Sequence, residues 1–95
     1  MICRVHWLLH NLEREFKANY KLSFNYANHS YMFYRMNGKK IKDVFIVVRT
    51  SKRCWRVSYA NVETTEYQAF TCKKSVNVAR RMWYIYKIDE RRKEE

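Results

Sequence analysis

Lysine and arginine are the side chains of this sequence best placed to do chemistry, because they are numerous, clustered and interleaved with aromatic residues. The 95 residues carry 20 Lys and Arg against 9 Asp and Glu, a formal charge of +11. The excess is largest between residues 35 and 56, where the one acid is Asp43. The cations of that segment are Arg35, Lys39, Lys40, Lys42, Arg49, Lys52, Arg53 and Arg56, and Lys73 and Lys74 form a second group.

Cations on a folded surface neutralise phosphates and release their counterions, which supplies sequence-independent affinity for nucleic acid. We therefore expect these ten residues to form a nucleic-acid-binding surface, with duplex DNA as the first partner and RNA as the second. Outward aromatic side chains such as Tyr34 would stack on unpaired bases. The same charge also suits an acidic protein partner, because net charge does not select one class of polyanion.

The acidic residues do not indicate catalysis. No two of the acids before the C-terminal tail have the spacing of the carboxylate cluster of a metal-dependent nuclease. Those acids are Glu13, Glu15, Asp43, Glu63 and Glu66. We expect no catalytic residue, no cofactor and no enzymatic activity. A metal-free ribonuclease that works through Lys, Arg, His and Tyr is the enzymatic alternative.

Histidine and cysteine offer two further chemistries. His6 and His10 are four residues apart, a spacing that can chelate zinc on a helix, and Glu13 is one turn on. No Glu follows His6 as in a metalloprotease helix, so we expect a surface or half-buried pair without metal. Cys3, Cys54 and Cys72 are widely spaced and form no Cys-x-x-Cys pair, which predicts reduced, buried thiols.

Composition predicts one folded, soluble domain. Apolar residues make up 47% of the chain and aromatic residues 17%, too many for a disordered basic tail. A single glycine, Gly38, and no proline exclude Gly-rich phosphate loops. The sequence has neither a signal peptide nor a membrane-spanning stretch, so we expect a cytoplasmic protein without membrane partners, in a host cell if it belongs to a phage.

Hydrophobic periodicity predicts the order helix, strands, helix. The predicted helices are 4–19 and a second from about 73 or 75 to near 88, and the predicted strands are 22–26, 31–36, 43–49, 54–59 and 65–71. Asn37 and Gly38 suggest a type I′ turn, with a longer loop through residues 39–42 as the alternative. The unbroken apolar run of strand 43–49 predicts a central strand covered on both faces. Strict alternation in 54–59 turns Trp55 inward and Arg56 outward.

These elements predict an α+β fold, an antiparallel sheet of four to five strands with an N-terminal and a C-terminal helix packed on one face. The other sheet face would be left to solvent or a partner, with Arg56 on it. Residues 1–88 would form the compact domain. Residues 89–95 would form a charged tail or an extension of the last helix.

About half of the chain, residues 44–88, resembles a known DNA-binding family. Val48-Arg49, the strand 54–59 and the run from Phe70 into Ala79 resemble the AP2 and integrase N-terminal domains. The resemblance implies a three-stranded sheet in the major groove, braced by a helix. It also implies that Arg49, Arg53 and Arg56, with Lys52, contact the groove, and that Trp55 and Phe70 pack against the helix.

The order of helix, sheet and helix also resembles a double-stranded RNA-binding domain. That resemblance implies that Lys73 and Lys74, at the start of the last helix, meet phosphates across a groove.

The sequence therefore predicts a small, basic, non-enzymatic nucleic-acid-binding accessory protein. The alternative is an inhibitor, of the kind that phages or mobile elements carry, that binds a host protein by occupying an acidic or nucleic-acid-binding groove. Trp, Tyr and Arg would be its anchors. The oligomeric state is not indicated.

Overall fold

A computed structural model describes residues 4–16, 20–25 and 27–94, with side chains as far as residue 88. The described residues form two helices and five strands. These are α1 Arg4–Glu15, β1 Tyr20–Asn25, β2 Ser30–Asn37, β3 Lys40–Ser51, β4 Cys54–Asn61, β5 Glu66–Cys72 and α2 Ser75–Glu94. No helix in this part of the chain is both long and apolar enough to cross a bilayer.

The strands form one antiparallel sheet in the order β1-β2-β3-β4-β5. Each strand therefore pairs with its neighbour in sequence, and β1 and β5 are the two edges. Both helices pack on the same sheet face, because their apolar residues share one core with the inward residues of the strands. The predicted α+β class and the single helical layer are confirmed.

Side-chain alternation decides which residues enter the core. Phe33 of β2, Phe45 of β3 and Val57 of β4 are fully buried on the helix-facing side of the sheet. Phe16, just after α1, stacks on Tyr86 of α2 with ring centroids 4.1 Å apart. The helices contribute the buried residues Val5, Leu9, Leu12, Val78, Met82, Ile85 and Tyr86.

Both helix ends differ from the prediction. α1 ends at Glu15 instead of residue 19, and residues 17–19 lie outside the described part of the chain. α2 continues to Glu94 instead of ending near Ile88. Of the two predicted alternatives for this segment, a charged tail or an extension of the last helix, residues 89–94 form the helix extension. The reason is composition: this segment has no Gly or Pro and is rich in Glu, Lys and Arg, which favour helix.

The turn between β2 and β3 is displaced by one residue from the predicted Asn37-Gly38. Asn37 pairs with Lys40, so the two turn residues are Gly38 and Lys39. Gly38 has a φ of 66°, and a positive φ at the first turn residue is typical of a type II′ hairpin. The predicted type I′ turn is therefore wrong, and glycine supplies the single left-handed residue.

β3 is central, as predicted, but it is not covered on both faces. Phe45 and Val47 are fully buried under the helices, whereas Val44 and Val48 are half-buried and Ile46 is 40% exposed on the opposite face. A continuous apolar run predicts double coverage only if a second layer exists. Here both described helices lie on one side, so the outer face of β3 is open.

Candidate nucleic-acid interface

The predicted cations do not form one surface. One is buried, one faces the helical layer, and the others are divided between two ends of the sheet. The "far end" is the turn between β2 and β3, with Lys39, Lys40 and Lys42. The "basic end" is the turn between β3 and β4 together with the junction of β5 and α2. The two ends are roughly 30 Å apart, because Lys40 and Arg49 are nine residues apart along β3, at about 3.3 Å per residue.

Arg35 belongs to the core and not to the predicted surface. It is 6% exposed, and its Nε donates to Oδ1 of Asp43 at 2.6 Å. The other oxygen of Asp43 accepts hydrogen bonds from Tyr20 and, at 3.2 Å, from the Tyr59 hydroxyl. Strand alternation places Arg35 on the same face as Phe33, so the guanidinium enters the core and pairs with the buried acid. Arg35 is therefore removed from the candidate interface.

Arg49 faces the helical layer and braces its own turn. It pairs with Trp55 across β3 and β4, and its guanidinium lies 5.7 Å from the centre of that ring. Its Nε donates to the Ser51 carbonyl at 3.1 Å, and its Nη2 donates to the Lys52 carbonyl at 2.6 Å. These contacts use donors that a phosphate would need. Arg49 therefore lies on the helical side of the sheet and not on its open face, and two of its nitrogens are engaged within its own turn.

The far end has mixed charge. Lys39 and Lys40 are exposed, but the neighbouring turn between β4 and β5 brings Glu63 alongside, and the Asn37 amide donates to Glu63 Oε1 at 2.8 Å. Glu66 also lies at this end, in register with Asn61. Carboxylates at the same end of the sheet weaken its attraction for a phosphate, so the far end is the poorer candidate.

The basic end gathers the other predicted cations and adds two. Lys52 and Arg53 are exposed in the turn between β3 and β4. Arg56 is exposed on the open sheet face, directly opposite Thr71 of β5. Lys73 and Lys74 connect β5 to α2. The basic end thus comprises Lys52, Arg53, Arg56, Lys73, Lys74 and, from α2, Arg80 and Arg81.

A groove between β5 and α2 brings several of these side chains together. Its cations are Lys73, Arg80 and Arg81, and its volume is about 530 Å³. Its other hydrogen-bonding side chains are Thr71, Asn77 and Tyr84. We call this concavity the β5–α2 groove. It lies along the edge strand of the sheet, where no further described strand covers it.

Local structure fixes the cations of the groove. α2 begins at Ser75, and the Asn77 N–H donates to the Lys74 carbonyl at 3.0 Å, so the chain passes from strand to helix through Lys73 and Lys74 alone. The buried stripe of α2, which includes Val78 and Met82, turns Arg80 and Arg81 toward the surface. The Arg81 guanidinium rests 5.2 Å from the centre of the Phe70 ring, which holds it beside β5.

The electrostatics of the basic end favour anions. No described carboxylate lies there, because Glu66 is at the opposite end of β5, roughly 20 Å from Cys72 at about 3.3 Å per residue. α2 starts at the basic end and therefore points the positive end of its dipole toward it. α1 starts on the same side, since His6 contacts Tyr31 whereas Phe16 contacts Tyr20.

One cysteine lines the groove. Cys54 and Cys72 are free thiols; Cys72 is buried, as predicted, whereas Cys54 is half-buried, and Cys3 lies outside the described residues. Burial raises the pKa of the Cys72 thiol, the charge of Arg81 opposes this rise, and Cys54 adds to it. Cys72 is therefore a neutral side chain in the floor of the groove.

His6 and His10 both lie on α1, four residues apart, as the sequence predicts. The Nε2 atoms of His6 and His10 are 3.0 Å apart and share one hydrogen bond. Burial, followed by the charge of His10, lowers the pKa of His6 below its ordinary value of 6.5. Within residues 4–16, 20–25 and 27–88, no group of three His, Cys, Asp or Glu side chains could hold a metal ion.

Sequence reasoning missed four groove residues, namely Asn77, Arg80, Arg81 and Tyr84. They recur at helical spacing along α2, opposite its apolar stripe, so the signal was present in the sequence. Their meeting with Lys73 and Thr71 depends on how α2 packs beside β5, which periodicity does not show.

Comparison with protein-family models, with curated proteins and with solved structures finds no match.

Proposed function

We propose that the protein is a non-enzymatic nucleic-acid-binding module that holds duplex DNA, with duplex RNA as the second choice, at its basic end. The supporting observation is the convergence of Lys73, Arg80 and Arg81 in the β5–α2 groove, in a region where no described side chain is a carboxylate. Such an arrangement matches a chain of phosphates, which supplies one negative charge for each cation.

The binding mode follows from the kind of side chain. Arg80, Arg81 and Lys73 donate to phosphate oxygens, which positions the duplex without reading its sequence. Lys52 and Arg53, both exposed in the turn between β3 and β4, extend the positive surface beyond the groove. Asn77 and Tyr84 add neutral donors, which can contact a phosphate or a base edge. Affinity from phosphates alone falls steeply with salt.

An acidic protein is the second candidate partner. Tyr84 is 68% exposed and lines the groove one helical turn after Arg80 and Arg81. Tyrosine and arginine together are typical anchors of protein interfaces. In this mode the protein is an inhibitor that occupies an acidic, nucleic-acid-like surface on its target, and its affinity is concentrated in a few side chains.

A salt series of binding to labelled duplex DNA, single-stranded DNA and duplex RNA tests the proposal. We expect submicromolar affinity for duplex DNA at physiological salt, a preference that survives unlabelled competitor, and a linear decrease of log affinity with log salt. Equal binding to all three, no tighter than about 10⁻⁴–10⁻⁶ M, is the generic result of a high positive charge. That outcome would contradict the proposal and favour the acidic protein partner.

A further inference from the structure

The sheet face opposite the helices is nearly free of charge. Strand register arranges its outward residues in three cross-strand rows, from β1 to β5. The rows are Lys21-Tyr34-Val44-Ala60-Tyr67, Ser23-Met32-Ile46-Ser58-Ala69 and Asn25-Ser30-Val48-Arg56-Thr71. We call them together the open face. In a chain whose residues are 31% charged, its only charges are Lys21 and Arg56.

The open face has the residue composition of a protein–protein interface. Its centre is apolar, with Met32 37% exposed and Ile46 40% exposed, while Val44 and Val48 flank Ile46 on β3. Its two lateral edges are mostly polar, with Lys21, Ser23 and Asn25 on β1 and Tyr67 and Thr71 on β5. An apolar centre that lacks charge, inside a polar rim, is the usual composition of a surface that becomes buried on association. A face that binds phosphates would instead carry cations at its centre.

We propose that a second copy of this chain covers the open face, giving a two-fold dimer whose sheets pack face to face. A two-fold axis along β3 brings β2 of one copy over β4 of the other and β1 over β5. Tyr34 then lies over Ala60 of the second copy, and Met32 lies over Ser58 of the second copy. Large side chains thus meet small ones on both flanks of the axis, which is what close packing of two sheets requires.

The charges of the open face tolerate this arrangement. Lys21 lies over Tyr67 of the second copy, and a cation over a tyrosine ring is favourable. Arg56 lies over Ser30 of the second copy, so neither charge of the three rows meets a like charge. Five strands at about 4.8 Å spacing and a length of about 20 Å give roughly 1,000 Å² of buried surface for both copies together, which is the threshold for a specific interface.

Salt dependence separates this dimer from nucleic-acid binding. Each copy carries a formal charge of +11, so association is opposed by repulsion that salt screens. We expect the dimer to tighten as salt rises, whereas contacts to phosphate weaken. The axis also keeps both basic ends on the same side of the dimer.

Sedimentation equilibrium of the full chain without nucleic acid, at low and at high salt, tests the proposal. We expect a monomer–dimer equilibrium that shifts to dimer at high salt. I46K places two lysines against each other at the axis and should abolish the dimer. I88K is the matched control, since Ile88 is 50% exposed on α2, in the helical layer and not on the open face, and it should leave the equilibrium unchanged.

A second pair of variants keeps the test independent of folding in the central strand. Tyr67 is 65% exposed on the edge strand β5. Y67K puts a lysine opposite Lys21 of the second copy and should raise the dimer dissociation constant about tenfold at low salt. Adding K21E to Y67K restores an attractive pair and should recover the affinity. Melting curves establish that each variant is folded.

A wild-type monomer at every salt and concentration would overturn the proposal. A dimer that I46K and Y67K leave intact would overturn it as well, because the copies would then meet through another surface. A monomer whose open-face variants lose affinity for single-stranded DNA would assign the face to unpaired bases instead, and would also contradict the proposal.

Discussion

At the scale of single residues, the feature with the largest expected effect is the buried pair of Arg35 and Asp43. Asp43 is fully buried, and it accepts hydrogen bonds from Arg35, Tyr20 and Tyr59. The Asn61 amide in turn donates to the Tyr59 hydroxyl at 3.3 Å. A buried charge is tolerated only when it is paired and hydrogen-bonded, so each member of this network depends on the others.

We predict that Asp43→Ala lowers the free energy of unfolding by about 3–5 kcal/mol, because it leaves the Arg35 charge buried and unpaired. Urea denaturation measures the loss. The double variant Arg35→Met/Asp43→Leu should recover part of it, since apolar side chains of similar size remove both charges. A loss from Asp43→Ala of under about 1 kcal/mol, the value of an exposed ion pair, would contradict the buried network.

Tyr20 gives the network a pH limit. Burial first, and then the hydrogen bond to Asp43 and its charge, raise the pKa of Tyr20 far above its ordinary value of 10.0, while the Arg35 charge partly opposes them. The folded state thus keeps its proton where the unfolded state loses it. This contribution to stability is complete below pH 10 and is lost as the pH rises further, by about 1.4 kcal/mol per pH unit.

Denaturation from pH 9 upward checks this expectation. Tyr20→Phe should flatten the decrease above pH 10 and lower stability at neutral pH by the lost hydrogen bond. Tyr84→Phe, on an exposed side chain, is the control and should keep the slope of the wild type. An unchanged slope in Tyr20→Phe would show that other groups set the alkaline limit.

At the scale of elements, the hairpin of β2 and β3 depends on one glycine. Gly38 has a φ of 66°, and a Cβ added there would meet no atom within 4 Å. The only penalty for a side chain is therefore the left-handed backbone. We predict that Gly38→Ala lowers the free energy of unfolding by about 1 kcal/mol. Gly38→Asn should cost less, because asparagine tolerates this conformation. Thermal unfolding measures both, and equal losses would point to a displaced turn instead.

Alternation and helical periodicity were sufficient to predict the element order and the helical layer. They also held the signal that Arg35 and Asp43 are buried, because Arg35 follows Tyr31 and Phe33 at every second position. We predicted that Arg35 lies on the surface because it is positively charged, although its place in the alternation indicated burial. The open face of β3 follows from the element order, which supplies two helices for one side of the sheet. The apolar run 44–48 wrongly indicated coverage on both faces, because such a run does not reveal whether a second layer exists.

The candidate site was only partly predictable for the same reason. Lys73 and Lys74 were identified because they follow a predicted strand, and Arg56 because alternation turns it outward within one. Arg80 and Arg81 lie on α2, and only the packing of α2 beside the edge strand brings them to Lys73. The sequence does not distinguish Arg49 from Arg53, because both are arginines near the same turn. The difference is that Arg49 donates to two carbonyls of that turn, which only the structure shows.

At the scale of the whole molecule, charge is divided between two distant regions. The protein measures 40 × 24 × 24 Å, and the far end and the basic end lie at opposite ends of the sheet. The Debye length is about 8 Å at physiological ionic strength, so the two ends act independently on a bound anion. The net charge of +11 thus overstates the charge that a single duplex meets.

The central claim is that the basic end, and not the net charge, binds nucleic acid. Two double variants that each remove two positive charges test it most directly. One is Lys73→Gln/Arg80→Gln in the groove, and the other is Lys39→Gln/Lys40→Gln at the far end; all four side chains are exposed. The measurement is the salt dependence of affinity for duplex DNA.

We predict that the groove variant weakens binding and lowers the slope of log affinity against log salt by about two units, close to 0.9 per lost phosphate contact. The far-end variant should leave that slope unchanged. Equal loss of slope and affinity in both variants would contradict the account, because the duplex would then respond only to the total charge.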